Sequence, residues 1–536
     1  MSELNALQDE FFAFWWSVHP VHATAVGIHT HDGELDRDDA ASLFEEARHL
    51  REYLTLFERF TPADVGEEID REILLGQIRW RLHEIEVVRS HERNPLHYLD
   101  GPLGALYLMA VRDYAPAEER AARAIERLSR LPAVFDEARE NLTDPAPVFV
   151  QTAAAMARSG AVLLESVLPM YLGAALQDDP DEYSAWENAR RAGAEALGAF
   201  ARWLEDELAP RAGGDFVLGQ ESFEARLRFL HGIDQSADEI EAFGRTLEAE
   251  TRASLEALAR EIEPGRDWRD LVETLKDEHP QADELIDAYA REMKRARDFV
   301  EERGLVTIPA GEELEVVPTP EFLRPLIPYA AYQPPAPHEV SRKGFFYVTP
   351  PPPETADRML RDHATHGIPI TALHEAYPGH HLQLTRATQA DTEPRRVFPT
   401  PVFAEGWALY CEELMWEEGF YSDPRVRLLQ LKDLLWRACR VVVDVGLHVR
   451  GWSIDQAVDY MVEEAGLERA NAEVEVRRYC VEPTQPLSYA VGRREILRLR
   501  QLAQERLGSR FDLRAFHDNL LSWGTIPPAL ILRTTF

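Results

Sequence analysis

Thr371-Ala-Leu-His-Glu-Ala-Tyr-Pro-Gly-His-His-Leu-Gln383 is the stretch that decides how this chain is read. His374, Glu375, His380 and His381 fall within eight residues, in a chain with 18 histidines over 536 positions. A His-Glu pair alone says nothing. It recurs at His83, His91 and His338, each time without a histidine cluster behind it.

The zinc-peptidase form of such a motif is H-E-x-x-H on a helix. The two histidines at i and i+4 share a face, and the Glu beside the first is the general base. Here the i+4 position is Pro378, so the plain motif fails. In a straight helix each residue turns about 100° and rises about 1.5 Å. His381 would then share the face of His374 but sit about 10.5 Å further along, too far to share one ion. A straight helix is excluded, because Pro378 has no N–H for the carbonyl of residue 374 and its ring crowds that turn. Gly379 tolerates unusual dihedrals. The reading predicts a bulge that absorbs two extra residues. With Tyr377 and Pro378 looped out, His-Glu-Ala-Gly-His remains, which makes His374 and His380 the ligands and His381 a neighbour. A third, carboxylate ligand is expected at the start of another helix. Glu405, 25 residues after His380, fits in Val402-Phe-Ala-Glu-Gly-Trp-Ala-Leu-Tyr-Cys-Glu-Glu413. Two histidines and a glutamate leave a fourth position for water, as a catalytic zinc site needs. Glu375 cannot reach a metal held by its neighbour His374, so its role would be to take and deliver a proton. The plain alternative is a structural histidine cluster.

His374 to Gln383, followed by Glu405-Gly-Trp-Ala-Leu-Tyr410, resembles the bacterial DUF885 family, which is grouped with gluzincin-type zinc metallopeptidases. The Gly-His after a His-Glu, the later Glu and Tyr489-Ala-Val-Gly492 are also similar to the M3 oligopeptidases and M32 carboxypeptidases, which are mostly helical. The DUF885 resemblance runs nearly end to end. It includes His19-Pro20 with Ala23-Thr-Ala-Val-Gly27, and Pro486-Leu-Ser-Tyr489 with Gly492. The two-residue insertion departs from ordinary gluzincins and leaves His380 and His381 open as second ligand. The resemblance implies a Zn²⁺ site in a helical cleft, a peptide substrate, and Tyr489 as donor to the oxyanion of a tetrahedral intermediate. It also implies an extended edge strand beside the metal helix that binds substrate backbone, for which Gly344-Phe-Phe-Tyr-Val-Thr349 is the candidate; the plain alternative for that segment is a buried aromatic strand in a small sheet. Glu475 and Arg478 read either as a helix ion pair at i,i+3 or as a fork for a substrate carboxylate.

Composition excludes several classes. The net charge of −36 opposes nucleic acid and anionic membrane surfaces. It would also disfavour acidic substrates unless a local basic patch offsets it. Cys411, Cys439 and Cys480 are too few and too scattered for a disulfide framework, and read as small buried residues of a reducing compartment. The first residues carry acids where a signal peptide carries positive charge, and no apolar stretch reaches about 18 residues. Some DUF885 relatives resemble secreted lipoproteins, but this chain has no lipobox, so the expected location is cytoplasmic. The oligomeric state is not encoded.

The expected fold is mainly α: a large multi-helix body with a small β element beside the metal-binding helix. Helical spacing recurs over 67–90, 147–171, 183–209, 236–262 and 280–302. It returns after Glu405 over 423–450, 453–466, 470–482, 487–507 and 526–534. His29-Thr-His-Asp32 reads as a loop after a helix. Proline-rich sequence from 303 to 353 marks the one boundary, giving an N-terminal helical region 1–302 and a catalytic region 303–536 that share one packed body. The function expected is zinc-dependent hydrolysis of short peptides. A zinc hydrolase of another amide or ester, and a non-catalytic metal-bound scaffold, are the rivals.

Overall fold

The computed structural model describes residues 3–320, 324, 327 and 329–534. The chain is mainly α, and its one sheet among the described residues has three strands. It divides into two compact units, Met1–Phe216 with Ala336–Ser341, and Val217–Pro335 with Arg342–Phe536. The composition shift near residue 303 therefore lies inside the second unit. It marks a change from helix to strand, while packing continues across it: Leu285 and Tyr289, from the helix Leu285–Arg303, form one apolar cluster with Phe346, Val348 and Ile368.

In the first unit the aromatic run near the N-terminus is one face of the helix Glu3–Val18, which buries Phe11, Phe12, Trp15 and Trp16. The predicted helices appear as Val65–His83, Pro147–Val162 and Pro180–Trp203. Pro147–Tyr171 is, by length and composition, apolar enough to cross a membrane, although no such span was expected; 44% of its apolar window is buried. His29–His31 forms a 3-10 turn after a helix, with His29 bonded to Asp32 at 2.9 Å and stacked on Tyr114.

The second unit carries the sheet, in the order β1 (Glu313–Pro318), β3 (Lys343–Val348), β2 (Ala330–Gln333). β1 runs parallel to β3, with Val316 opposite Phe346; β2 runs antiparallel, with Tyr332 opposite Phe346. β3 is therefore the central strand, not an edge. Of the two readings of 344–349, the buried aromatic strand in a small sheet is the one found; the substrate-binding edge is not, because the strand is hydrogen-bonded on both sides. Alternate residues of β3 explain the choice: Gly344, Phe346 and Val348 are all buried. The predicted helix over 526–534 shrinks to the single turn Pro528–Ile531.

Helix starts in this unit follow from local chemistry. Ser236 and Glu239 form a capping box on Ala237–Ile262, and Asp423 caps Pro424–His448 with proline at its first position. Thr400 caps the helix Pro401–Glu417 in the same way. The helix Gln485–Leu507 starts differently. Thr484 is in the left-handed region, at φ 69°, which a β-branched residue rarely adopts. Buried Asp444 accepts the N–H groups of Thr484 and Leu487 at 3.2 and 3.3 Å. Buried His231 joins the two helix starts, contacting the Thr400 hydroxyl at 2.8 Å and the Thr484 hydroxyl at 3.0 Å. Burial depresses the His231 pKa to about 3, so the ring is neutral and one nitrogen donates while the other accepts.

The same two helices cross in contact at a pair of glycines. A Cβ on Gly492 would lie 1.8 Å from the Val402 carbonyl oxygen, and one on Gly406 would lie 2.4 Å from the Gly492 carbonyl carbon. Backbone cannot give way as a side chain can. Gly492→Ala should destabilise the protein by about 1–3 kcal/mol through overpacking. Gly104, in the helix Asp100–Val111 with no atom within 4 Å of its virtual Cβ, is the control. Gly104→Ala should be neutral or stabilising by up to about 1 kcal/mol. Thermal midpoints of the two variants, shifted in opposite directions, are the measurement.

Candidate metal centre

The motif stretch is not one bulged helix. The helix Ile368–Glu375 ends, a four-residue link turns the chain, and a second helix, His380–Ala387, begins. Proline at 378 forbids the next turn, as expected, but the two extra residues break the helix rather than widen it. Ala376 and Gly379 take non-helical dihedrals, and the Tyr377–Pro378 bond is cis. Only glycine fits at 379, where a Cβ would lie 1.9 Å from the His374 carbonyl oxygen. The Gly379 N–H bonds the Leu373 carbonyl at 3.0 Å, and the Trp407 indole N–H closes on the Pro378 carbonyl at 2.7 Å. Trp407 thereby ties the link to the helix that carries Glu405.

The break brings the donors together. His374, His380 and Glu405 each present one ligand atom, and these atoms lie within 4.8 Å of one another. The His380 Nε2 is 3.2 Å and the His374 Nε2 3.9 Å from the same Glu405 oxygen. The two imidazoles stand nearly perpendicular, with centroids 4.9 Å apart. Burial would depress the His380 imidazole, but the Glu405 carboxylate reverses this and raises it. Burial likewise works to raise Glu405, yet the two histidines outweigh it and hold the carboxyl at about 2.

Glu412 was not foreseen. It is buried, and its carboxylate takes the Nδ1 of His374 at 2.8 Å, which fixes the tautomer and leaves Nε2 free toward Glu405. A carboxylate behind a histidine ligand is a recurrent feature of metal sites. The signal was present in the sequence: Glu412 is seven residues after Glu405 on one helix, two turns along the same face.

Of the two later histidines, His380 faces Glu405 and His374, and His381 does not. His381 is fully buried and turned away; its Nε2 bonds Glu312 at 2.6 Å and its Nδ1 meets the Tyr332 hydroxyl at 3.0 Å. Tyr377, half of the insertion, donates to the same Glu312 carboxylate at 2.5 Å. Burial opposes ionisation of Glu312, but the bonds from His381 and Tyr377 keep it below the usual carboxylate range. Nothing local in the sequence pointed to Glu312.

Glu375 is half-buried next to His374, and its charge acts on His380, Tyr289 and Tyr332. Tyr489 lies in the second turn of Gln485–Leu507, its ring stacked at 20° on His374 with centroids 6.5 Å apart. Burial and the Glu405 charge push its phenol up to about 12, so it is a donor at neutral pH. Glu475 and Arg478 form the helix ion pair, at 3.0 Å, within a network that includes Arg440 and Tyr479. All three cysteines are buried thiols, and Cys411 is held neutral by burial.

Two imidazole nitrogens and a carboxylate, with no cation among them and a carboxylate orienting one imidazole, suit a divalent transition metal such as zinc. Removing Glu412 as acceptor, in Glu412→Gln, should weaken zinc binding about 10–100-fold. His381→Ala should leave zinc bound and His380→Ala should lose it. Competition against a chelator of known affinity reads all three.

A family model described as "Bacterial protein of unknown function (DUF885)" matches residues 20–534, and the chain belongs to that family. No curated protein matches it. Two solved structures share the fold. One is described as a "putative lipoprotein of unknown function from Shewanella oneidensis", with TM-score 0.84 and 23% identity over 99% of each chain. The other is described as a "putative lipoprotein from Colwellia psychrerythraea", with TM-score 0.84 and 21% identity over 99% of this chain and 97% of that one. At these identities the likeness concerns the fold alone.

Proposed function

We propose that this DUF885 chain is a zinc-dependent hydrolase that cleaves peptide bonds, with His374, His380 and Glu405 as the metal ligands. The observation that carries the reading is the convergence of those three donors with a glutamate beside the first and a tyrosine stacked over it. Zinc held there would supply a Lewis acid for the scissile carbonyl and acidify a bound water toward neutrality. The rest falls to the chain's own groups. Glu375 cannot share the ion with His374, so its carboxylate takes the proton of the attacking water and hands it to the departing nitrogen. The Tyr489 phenol, kept protonated by burial and by the Glu405 charge, donates to the oxygen that becomes negative as the carbonyl carbon turns tetrahedral. Glu412 holds the His374 ring so that Nε2 stays available. Glu375 would have no task in a scaffold, since a merely structural ion needs no base.

Peptide mixtures digested by zinc-loaded protein and read by mass spectrometry test this directly. The parent should cleave. Glu375→Gln, which keeps size and hydrogen-bonding ability but loses the proton acceptor, should fall by about 10²–10⁴-fold at equal zinc occupancy. Tyr489→Phe should lose about 10²–10³ in kcat with little change in KM. Parent-like cleavage by Glu375→Gln would remove the mechanism. Turnover of esters or acyl amides with intact peptides would keep the metal chemistry and replace the substrate class.

A further inference from the structure

The protein is strongly acidic, yet arginines gather on one flank of the candidate metal centre. Tyr489, which stacks on His374, has three guanidinium groups acting on it, from Arg437, Arg440 and Arg478. Two of these are committed. Arg440 gives its Nε to the Tyr479 hydroxyl at 2.7 Å and an Nη to Glu475 at 2.8 Å, and it lies over the Trp436 ring. Arg478 is taken up by Glu475, Glu482 and Gln485.

Arg437 is different. Its guanidinium lies 4.9 Å from the Trp436 ring and 5.8 Å from the Tyr489 ring, and its side chain is only 14% exposed. Among the described residues its polar contacts run through Nη1, to the Asp433 carbonyl at 3.3 Å and the Asp433 carboxylate at 3.5 Å. That carboxylate is itself held more closely by Lys432, at 2.6 Å. The Nε of Arg437 is buried and has no hydrogen-bond partner. A buried donor without a partner is costly and points to a ligand that supplies one. The edge left over, Nε with Nη2, is the fork that receives the two oxygens of a carboxylate.

We propose that Arg437 is the carboxylate-binding residue of the substrate site: its Nε–Nη2 edge receives a carboxylate of the bound peptide while the scissile bond lies at the metal centre. The assignment rests on the hydrolase reading above and names its substrate class. The spacings from His374 to Tyr489 and from Tyr489 to Arg437 put the guanidinium within about three or four extended residues of the metal ligand. A carboxylate at that reach is either the free C-terminus of a short peptide, which makes the enzyme trim near chain ends, or an acidic side chain close to the cut.

Binding of three probes by calorimetry tests the assignment without needing turnover. They are N-acetyl-Ala-Ala-Ala as the free acid, the same peptide as its amide, and N-acetyl-Ala-Ala-Glu amide, whose only carboxylate is on the side chain. The protein is full-length, zinc-loaded and carries Glu375→Gln, with or without a change at Arg437. The probe that carries the recognised carboxylate should bind about 10–100-fold tighter than the plain amide, the worth of a forked charge-assisted contact. Arg437→Gln should abolish that preference, and Arg437→Lys, which keeps the charge without the fork, should restore only part of it. If only the free acid gains over the plain amide, the recognised carboxylate is the terminal one; if only the glutamate amide gains, it is the side chain's; if both gain, the fork takes either. Equal binding of all three probes, or a preference that survives at full size in Arg437→Lys and Arg437→Gln, overturns the assignment. Should Arg437→Gln fail to fold, Arg437→Lys decides alone. Failure of the parent to cleave any peptide strikes the hydrolase reading and does not alter this comparison.

Discussion

The crossing of Pro401–Glu417 and Gln485–Leu507 at Gly406 and Gly492 is the constraint on which the site depends. With no Cβ on either residue the two backbones touch. Glu405 precedes one glycine and Tyr489 lies one turn before the other, so the contact sets a carboxylate and a phenol side by side. Larger residues there would separate the helices and spread the site, whatever its side chains. The starts of both helices are fixed by the same neutral imidazole, His231, and the left-handed turn at Thr484 is held by Asp444. Strain of about 1–3 kcal/mol at such a residue persists only where the surroundings over-determine it. Here they set the position of Tyr489.

The break between residues 375 and 380 is the second constraint. A continuous helix would separate His374 from the later histidines along its axis. Breaking it turns His380 back toward Glu405 and sends its neighbour His381 the other way. Each buried polar group in the turn then needs a partner. Trp407 serves the Pro378 carbonyl, Glu412 serves His374, and Glu312 with Tyr332 serves His381. These contacts hold the donors in place before any ion arrives, which is what a preorganised site requires.

Much of this was legible from the sequence because it is local. Periodicity announced the helix bodies; the caps at Ser236, Thr400 and Asp423 could have marked their starts, and Thr400 would have placed one helix start at Pro401 rather than at Glu405. His374, His380 and Glu405 could be chosen because proline and glycine act on their immediate neighbours in known ways. What was misread is non-local or depends on degree. The sequence of β3 says strand, but its central place is set by which segments pair on its flanks. Pro378 says that the helix cannot continue, but whether it bulges or breaks depends on Trp407 and the close contact at Gly379. Glu312 is 69 residues from His381, its partner, and no spacing rule spans that gap. Glu412 could have been found by following one helix face two turns beyond Glu405. The free edge of Arg437 is visible only once the neighbouring arginines are seen to be paired.

The central claim is that three side chains hold one ion beside Glu375 and Tyr489. Anomalous scattering from crystals of zinc-loaded protein, collected on either side of the zinc absorption edge, tests it most directly. The account predicts one strong edge-dependent peak per chain, bonded to the Nε2 atoms of His374 and His380 and to a Glu405 oxygen, at about 2.0–2.2 Å. A peak bonded to His381, or none between these three residues at full zinc loading, would contradict it.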